Sequence, residues 1–246
     1  MTAMDDYTAD TYGERIADVY DSWYAAYDEN CIALLAELAG GGPALELGIG
    51  TGRIALPLAQ QGVVVHGVDA SPAMVAKLRA KPGGEAIPVT TATFSDFALD
   101  ERFVLVYIAF NTFFAPLTQD EQIRCMENVA RHLVAGGRFV IEAFVPDLAR
   151  FVANQTMRVI GLESGEARID ASLLDLAAQR ITSQHIVLTE RGTRLYPVTL
   201  RYVWPSEMDL MARVAGLRLE HRWADWRRAP FGADSTKHIS VYQRAS

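Results

Sequence analysis

The feature that most constrains this chain is an apolar strand that runs straight into alternating glycines, Ala44-Leu45-Glu46-Leu47-Gly48-Ile49-Gly50-Thr51-Gly52-Arg53. A second apolar run, Val63-Val64-Val65-His66-Gly67-Val68, ends on Asp69. Glycines after a strand let backbone approach a ligand, a helix starts behind them, and an acid at the tip of the next strand is placed to grip a ribose diol. The pattern predicts a nucleotide-type pocket.

Glycine spacing narrows the ligand. A dinucleotide loop reads G-x-G-x-x-G and sets a pyrophosphate on a helix N-terminus; its third glycine would stand at position 53, which is Arg. The glycines lie instead at 48, 50 and 52 behind Glu46, whose carboxylate would repel a pyrophosphate. The pattern E-x-G-x-G-x-G, with an acid about 20 residues further on, resembles the nucleoside-binding loop of the class I S-adenosylmethionine (SAM) methyltransferases. Asp69 does not separate the two readings, and the spacing does. A nucleotide-dependent oxidoreductase is the alternative that Arg53 opposes.

Across 246 residues, 50% hydrophobic and 22% charged, the chain has room for a doubly wound core plus an insertion within one domain, 1–246. No apolar run approaches the roughly 18 residues of a membrane span. The acidic start, Met1-Thr2-Ala3-Met4-Asp5-Asp6-Tyr7, lacks a basic and apolar leader, so the expected location is cytoplasmic. A net charge of −7 argues against nucleic-acid and membrane partners, which need a concentrated basic face. The one basic cluster, Arg213, Arg218, Arg222, Arg227 and Arg228, is interleaved with Glu207, Asp209, Glu220 and Asp225 and reads as an ion-paired surface. Cys31 and Cys125 are too far apart for a C-x-x-C site and read as buried thiols.

Short β-branched runs alternating with helix-length amphipathic segments predict a parallel sheet covered on both faces. Strands are expected near 43–48, 63–68, 86–91, 103–109 and 137–144, with helices near 52–61, 72–80 and 119–135. Ser71-Pro72 opens the second helix as N-cap and first-turn proline, and Gly136-Gly137 is expected to cap the third. From about 150 to 204 the texture changes to consecutive strands, 167–176, 180–190 and 193–204, the last two turning at Arg191-Gly192. This insertion is expected to cap the acceptor side of the sheet or to make a homodimer contact beside it. A helix from Pro205 and strands 217–223 and 237–244 close the chain. The fold class is therefore α/β, a doubly wound Rossmann-like sheet with an antiparallel β insertion.

The resemblance to class I methyltransferases covers roughly 28–145 and 205–244. Within them the chain is most similar to amino-sugar N-methyltransferases, through Ala17-Asp18-Val19-Tyr20-Asp21-Ser22-Trp23-Tyr24, Val68-Asp69-Ala70-Ser71-Pro72-Ala73-Met74 and His132-Leu133-Val134-Ala135-Gly136-Gly137. The resemblance implies that Gly48, Gly50 and Gly52 approach the methionine part of SAM and that Glu46 binds its ammonium. Arg53 would meet its carboxylate or face solvent. Asp69 would accept both ribose hydroxyls, and Ala70 and Met74 would face the adenine. Where the family often carries an Asp for the adenine amino group, this chain has Thr93, with Phe94 left to cover the ring and Asp96 reading as a turn residue.

Methyl transfer needs positioning, desolvation and, where required, proton removal from the acceptor. The N-terminal segment, about 8–40, is expected to fold over the cofactor as a helical lid. Tyr24 matches a tyrosine lining both cofactor and acceptor sites, or else joins Tyr20, Trp23 and Tyr27 in an aromatic helix face packed on the core. Phe110 and Asn111 stand at the tip of a central strand, where open α/β sheets place ligands, and Asn111 is the candidate for orienting an acceptor. His185, His221, His238 and Glu142 are candidate bases. The loop after strand four lacks the [DNS]-P-P-[YFW] signature of base methyltransferases and no Pro-Cys pair is present, which disfavours flipped-base chemistry. No compact acidic metal cluster is visible. The expectation is SAM-dependent methylation of a small polar acceptor, an amine of a sugar or similar natural-product intermediate, with an O-methyltransferase and a non-catalytic SAM-binding module as alternatives.

Overall fold

A computed structural model of the chain describes residues 7–24 and 26–245. The N-terminal stretch read above against export lies, but for Tyr7, outside the described residues. Seven strands form one sheet in the order β10-β11-β5-β4-β1-β2-β3, and four more form a separate sheet in the order β6-β7-β8-β9.

The parallel core comprises β1 (Ala44–Leu47), β2 (Val65–Asp69), β3 (Val89–Thr91), β4 (Phe103–Ile108) and β5 (Leu133–Phe144). The antiparallel pair β10 (Leu217–Trp223) and β11 (Lys237–Arg244) finishes the edge beside β5. Both faces of β1 and β4 are buried, as a sheet with helices on both sides requires. One layer of core gathers α5 (Gln119–His132) and α6 (Pro205–Val214) on Leu45, Leu47, Val106 and Phe139. The other gathers α2 (Glu29–Ala39) and α3 (Ala55–Gln60) on Ala44, Leu105, Tyr107 and Val140.

Local chemistry sets the element ends. Ser71 caps α4 (Pro72–Arg79) by accepting the Met74 amide at 3.2 Å. Thr118 and Glu121 make a reciprocal capping box on α5. The expected glycine cap of α5 is replaced by something else: the helix stops at His132, and Gly136, with φ +74, lies in an irregular start of β5 where the register on β4 slips. The cause is pairing of Leu133 with Phe103, which draws the chain into the sheet before the glycines.

The insertion leaves the sheet at the end of β5. It holds four antiparallel strands rather than three, β6 (Gln155–Glu163), β7 (Glu166–Asp175), β8 (Arg180–Thr189) and β9 (Gly192–Arg201). β6 escaped the sequence pattern because it is an edge strand exposed on both faces, with Met157, Val159 and Leu162 open to solvent and no alternation to read. The β8–β9 turn is Glu190-Arg191, one residue earlier than expected, because Thr189 pairs with Gly192. Among the described residues no helix is long and apolar enough to cross a membrane.

Candidate cofactor and acceptor site

Loops at the carboxyl ends of β1, β2 and β4 come together, with Gly50 bonded to Asp69 and Gly48 against Thr112. Gly48, Gly50 and Gly52 all have positive φ, at 76°, 53° and 77°, which L side chains rarely adopt. A Cβ on Gly48 would stand 2.5 Å from Thr112 Cγ2 and 3.3 Å from Phe94 Cζ, and one on Gly50 3.1 Å from Met74 Cε. On Gly52 it would strike Leu78 Cδ1 at 2.3 Å, so this glycine seats the loop on α4. Its Cβ side faces the helix, not the ligand space that all three glycines were expected to keep open.

Glu46 is buried at the end of β1 and its Oε2 accepts the Tyr107 hydroxyl at 3.0 Å. Burial pushes its carboxyl up to about 8, against the lowering effects of Tyr107 and Arg53. A buried acid in that state is a receptor for a cation, because an ammonium beside it restores the ionised form. At the end of β2, Asp69 is also buried. Its Oδ2 accepts the Gly50 amide at 2.7 Å and its Oδ1 the Ser71 amide at 2.9 Å, while burial raises its pKa. Each carboxylate oxygen keeps a further lone pair, which is what a ribose diol needs. A cation-seeking acid and a diol-seeking acid on either side of a glycine cradle fit the two ends of SAM.

Arg53 does not simply face solvent. Its Nη1 donates to the Ala26 carbonyl at 3.0 Å and its guanidinium lies 4.6 Å from the Phe110 ring centroid. Phe110 and Asn111 are consecutive non-glycine residues at φ +56° and +66°, a strained turn. It is clamped by β5: the Phe110 amide donates to Glu142 Oε2 at 2.9 Å and the Phe144 amide donates to Asn111 Oδ1 at 2.7 Å. Asn111 therefore has its oxygen engaged by β5 and its NH2 group without a protein partner among the described residues. Glu142, considered as a base, is occupied on both oxygens, since Oε1 accepts Trp226 Nε1 at 3.1 Å and Lys237 Nζ at 3.3 Å. Thr93 donates its hydroxyl to Asp96 at 2.8 Å, and Ser95 does so at 2.9 Å, so Asp96 holds a turn. Phe94 lies beside the glycine loop, Ala70 is half-buried, and Met74 is buried.

Of the segment 8–40 expected to form a lid, α2 packs into the sheet and α1 (Thr11–Tyr24) lies against the start of α4. Glu14 accepts the Ser71 hydroxyl at 2.8 Å and the Ala73 amide at 2.9 Å, Asp18 pairs with Lys77 at 2.8 Å, and Asp21 takes Lys81 at 2.7 Å and the Thr51 hydroxyl at 2.6 Å. These residues were missed in the sequence. The signal was there in part: 14, 18 and 21 share one face of α1, whereas Lys81 lies just past the end of α4. Tyr24 sits at the end of this helix, its ring 5.2 Å from both Tyr20 and Phe110. Trp23 turns the other way, onto Tyr196 and His185 of the four-stranded sheet. Tyr27 lies past the helix and is 40% exposed, so it is not part of the aromatic face. His221 stacks on Trp223 in the edge strand, and His238 is buried in β11 against Ser240, with its pKa pushed down to about 4.

This sheet order with an E-x-G-x-G-x-G loop and a strand-end acid defines a Rossmann-like, nucleoside-binding transferase. The pattern described as "Methyltransferase domain" matches residues 44–137. The chain is 31% identical over 205 residues to a cypemycin N-terminal methyltransferase of Streptomyces sp, covering 81% of this chain and 82% of that protein. It is 28% identical over 232 residues to the dTDP-4-amino-2,3,4,6-tetradeoxy-D-glucose N,N-dimethyltransferase of Saccharopolyspora spinosa, covering 87% and 90%. The structure of the CcbJ methyltransferase from Streptomyces caelestis superposes with a TM-score of 0.92 at 43% identity, over 98% of this chain and 100% of that one. The chain belongs to the class I SAM-dependent methyltransferases.

Proposed function

We propose that this methyltransferase acts on the amine of a small natural-product intermediate, a sugar or a compound of similar size, in the cytoplasm. The observation that carries the reading is the aromatic collar of Tyr20, Tyr24 and Phe110 at the lid end of the crevice, with Arg53 across Phe110. An amine-bearing acceptor finds there an apolar, electron-rich wall. Two relatives whose names specify N-terminal and N,N-dimethyl transfer support it.

SAM supplies a methyl group on a sulfonium that is already a good leaving group. The protein's share is alignment. Glu46 takes the methionine ammonium and Arg53 its carboxylate, Asp69 takes the ribose hydroxyls, and Ala70, Met74, Thr93 and Phe94 border the adenine. The Gly48–Gly52 loop lets backbone close on the cofactor, while Tyr24 and the NH2 group of Asn111 orient the acceptor. Lid helix α1, held by Glu14, Asp18 and Asp21, excludes water above the reacting atoms.

The test is turnover with methyl-labelled SAM, read by mass spectrometry, on an amino sugar, a short peptide with a free N-terminus and the hydroxyl analogue of the sugar. Mass gain on an amine with none on the hydroxyl analogue supports the reading. Equal or better methylation of the hydroxyl compound moves the enzyme to O-methylation, and SAM binding without turnover of any acceptor leaves a binding module.

A further inference from the structure

The inner face of the four-stranded sheet has a centre that packing does not explain. Its flanks are apolar, with Val187 against α1 and Leu174 and Ile181 toward Phe144 and Phe151. Between them a single cross-strand row runs Arg158, Asp170, His185, Tyr196, each residue paired in register with the next. A sheet that only had to cover an aromatic helix would place apolar residues there.

Asp170 is 6% exposed. Its Oδ1 accepts the Ser172 hydroxyl at 3.0 Å, that hydroxyl meets Ser183 at 2.7 Å, and Oδ2 lies 3.6 Å from Arg158. His185 Nδ1 lies 3.6 Å from Asp170 Oδ1, aimed at it but too far for a hydrogen bond, and is buried without a partner. Burial lowers the imidazole's pKa while the charge of Asp170 opposes that, so the ring is neutral near pH 7 and its protonated form is stabilised by the nearby carboxylate. With Nδ1–H toward the acid, Nε2 carries the lone pair. The charged and titratable groups facing this pair are Arg158 from β6, Arg168 from β7, Tyr196 from β9, Tyr24 from α1 and Arg150 from the β5–β6 loop.

The row touches the site through the lid. Trp23 lies with its ring centroid 6.4 Å from His185, and the adjacent Tyr24 feels the charges of Asp170 and Arg168 while contacting Phe110. We propose that His185, seated against Asp170 on this sheet, receives the proton that the acceptor ammonium must lose before it is methylated. The proposal rests on the amine reading above. The ammonium gives its proton to Nε2, and the freed lone pair forms the bond to the methyl carbon as the C–S bond breaks. The C–S electron pair leaves on S-adenosylhomocysteine, and the imidazolium returns the proton to water. One proton is released per methyl group.

His185→Gln and Asp170→Asn are compared with wild type on whichever amine of the panel is methylated, with fold checked by melting and cofactor affinity by titration with S-adenosylhomocysteine. For His185→Gln, kcat falls by about a hundredfold below the pKa of the amine, the scale of general-base catalysis, and recovers as pH rises and solvent deprotonates the acceptor. Asp170→Asn removes the charge that holds the imidazole pKa up, so it shifts the acid limb of the profile to lower pH and leaves S-adenosylhomocysteine affinity unchanged. A readout independent of turnover is histidine-labelled NMR: the signal absent from His185→Gln moves when the amine joins the S-adenosylhomocysteine complex. Should His185→Gln fail to fold, His185→Asn serves for both measurements. Superimposed pH profiles on a methylated amine, or a motionless His185 signal, overturn this inference alone. Methylation of only the hydroxyl analogue overturns the amine reading and this inference with it.

Discussion

Asp69 Oδ2 accepts the Gly50 amide at 2.7 Å, tying the tip of β2 to the middle of the loop that follows β1. Its other oxygen takes the Ser71 amide at the entrance to α4, so one carboxylate fixes both walls of the crevice. In the proposed role of Asp69 a ribose diol would meet an acceptor already held in place, with little ordering left to be done on binding.

Asp69→Ala removes both the diol acceptor and the partner of two buried amides. Titration with S-adenosylhomocysteine should show affinity weaker by about 2 kcal/mol or more, on the scale of charge-assisted hydrogen bonds. Melting of the ligand-free protein should drop as well, which separates Asp69 from a residue that touches only ligand. Unchanged affinity would place the ribose elsewhere.

Glu46 gives the cofactor site a proton signature. Its carboxyl, ordinarily at 4.5, stands at about 8 through burial, so it is mostly neutral at pH 7 in the free protein. A methionine ammonium against it favours the carboxylate. Binding at pH 7 should therefore release a proton, measured by calorimetry in buffers of different ionisation enthalpy, and affinity should rise with pH up to about 8. In the free protein the sign is opposite. The folded state holds the proton that the unfolded state has lost, so stability relative to Glu46→Gln declines as pH climbs from 4.5 toward 8. Proton release unchanged in Glu46→Gln would assign it to another group.

The ladder of Glu14, Asp18 and Asp21 makes the lid testable apart from the chemistry. Glu14→Ala leaves the Ser71 hydroxyl and Ala73 amide without their acceptor. Hydrogen exchange along α1 should speed up and cofactor dissociation should quicken, with the parallel sheet unaffected. Asp18→Ala should do much less, because the Asp18–Lys77 pair is solvated and water screens it. Equal effects from the two substitutions would mean that α1 is held by its apolar face instead.

The sequence disclosed what one strand or one turn determines. Burial makes β4 an unbroken apolar run and β1 and β2 largely apolar ones, broken by Glu46 and by His66 and Asp69, and the alternate glycines are demanded by a backbone that three positive φ angles describe. It hid what depends on partners distant in the chain. Glu142 stood at a strand end like a catalytic acid, yet Phe110, Trp226 and Lys237 use it to hold a strained turn. Asn111 read as a ligand for the acceptor, and its oxygen serves the Phe144 amide. Asp170 and His185 carry no motif, since only the register of β7 on β8 brings them together.

Tyr24 stands between the two halves of the site, with Phe110 on one side and the field of Asp170 and Arg168 on the other. Burial raises its pKa, so the hydroxyl stays protonated through neutral pH and acts as a hydrogen-bond donor or acceptor, never as phenolate. Tyr24→Phe removes that hydroxyl while the ring contacts with Tyr20 and Phe110 remain. If the hydroxyl orients the acceptor, Tyr24→Phe lowers kcat with S-adenosylhomocysteine affinity intact, because an alignment present in the transition state has been removed without touching the cofactor. Tyr24→Ala takes the ring as well and lowers melting temperature in addition. A normal kcat in Tyr24→Phe combined with a less stable Tyr24→Ala would make Tyr24 a packing residue of the lid and shift acceptor orientation to the NH2 group of Asn111.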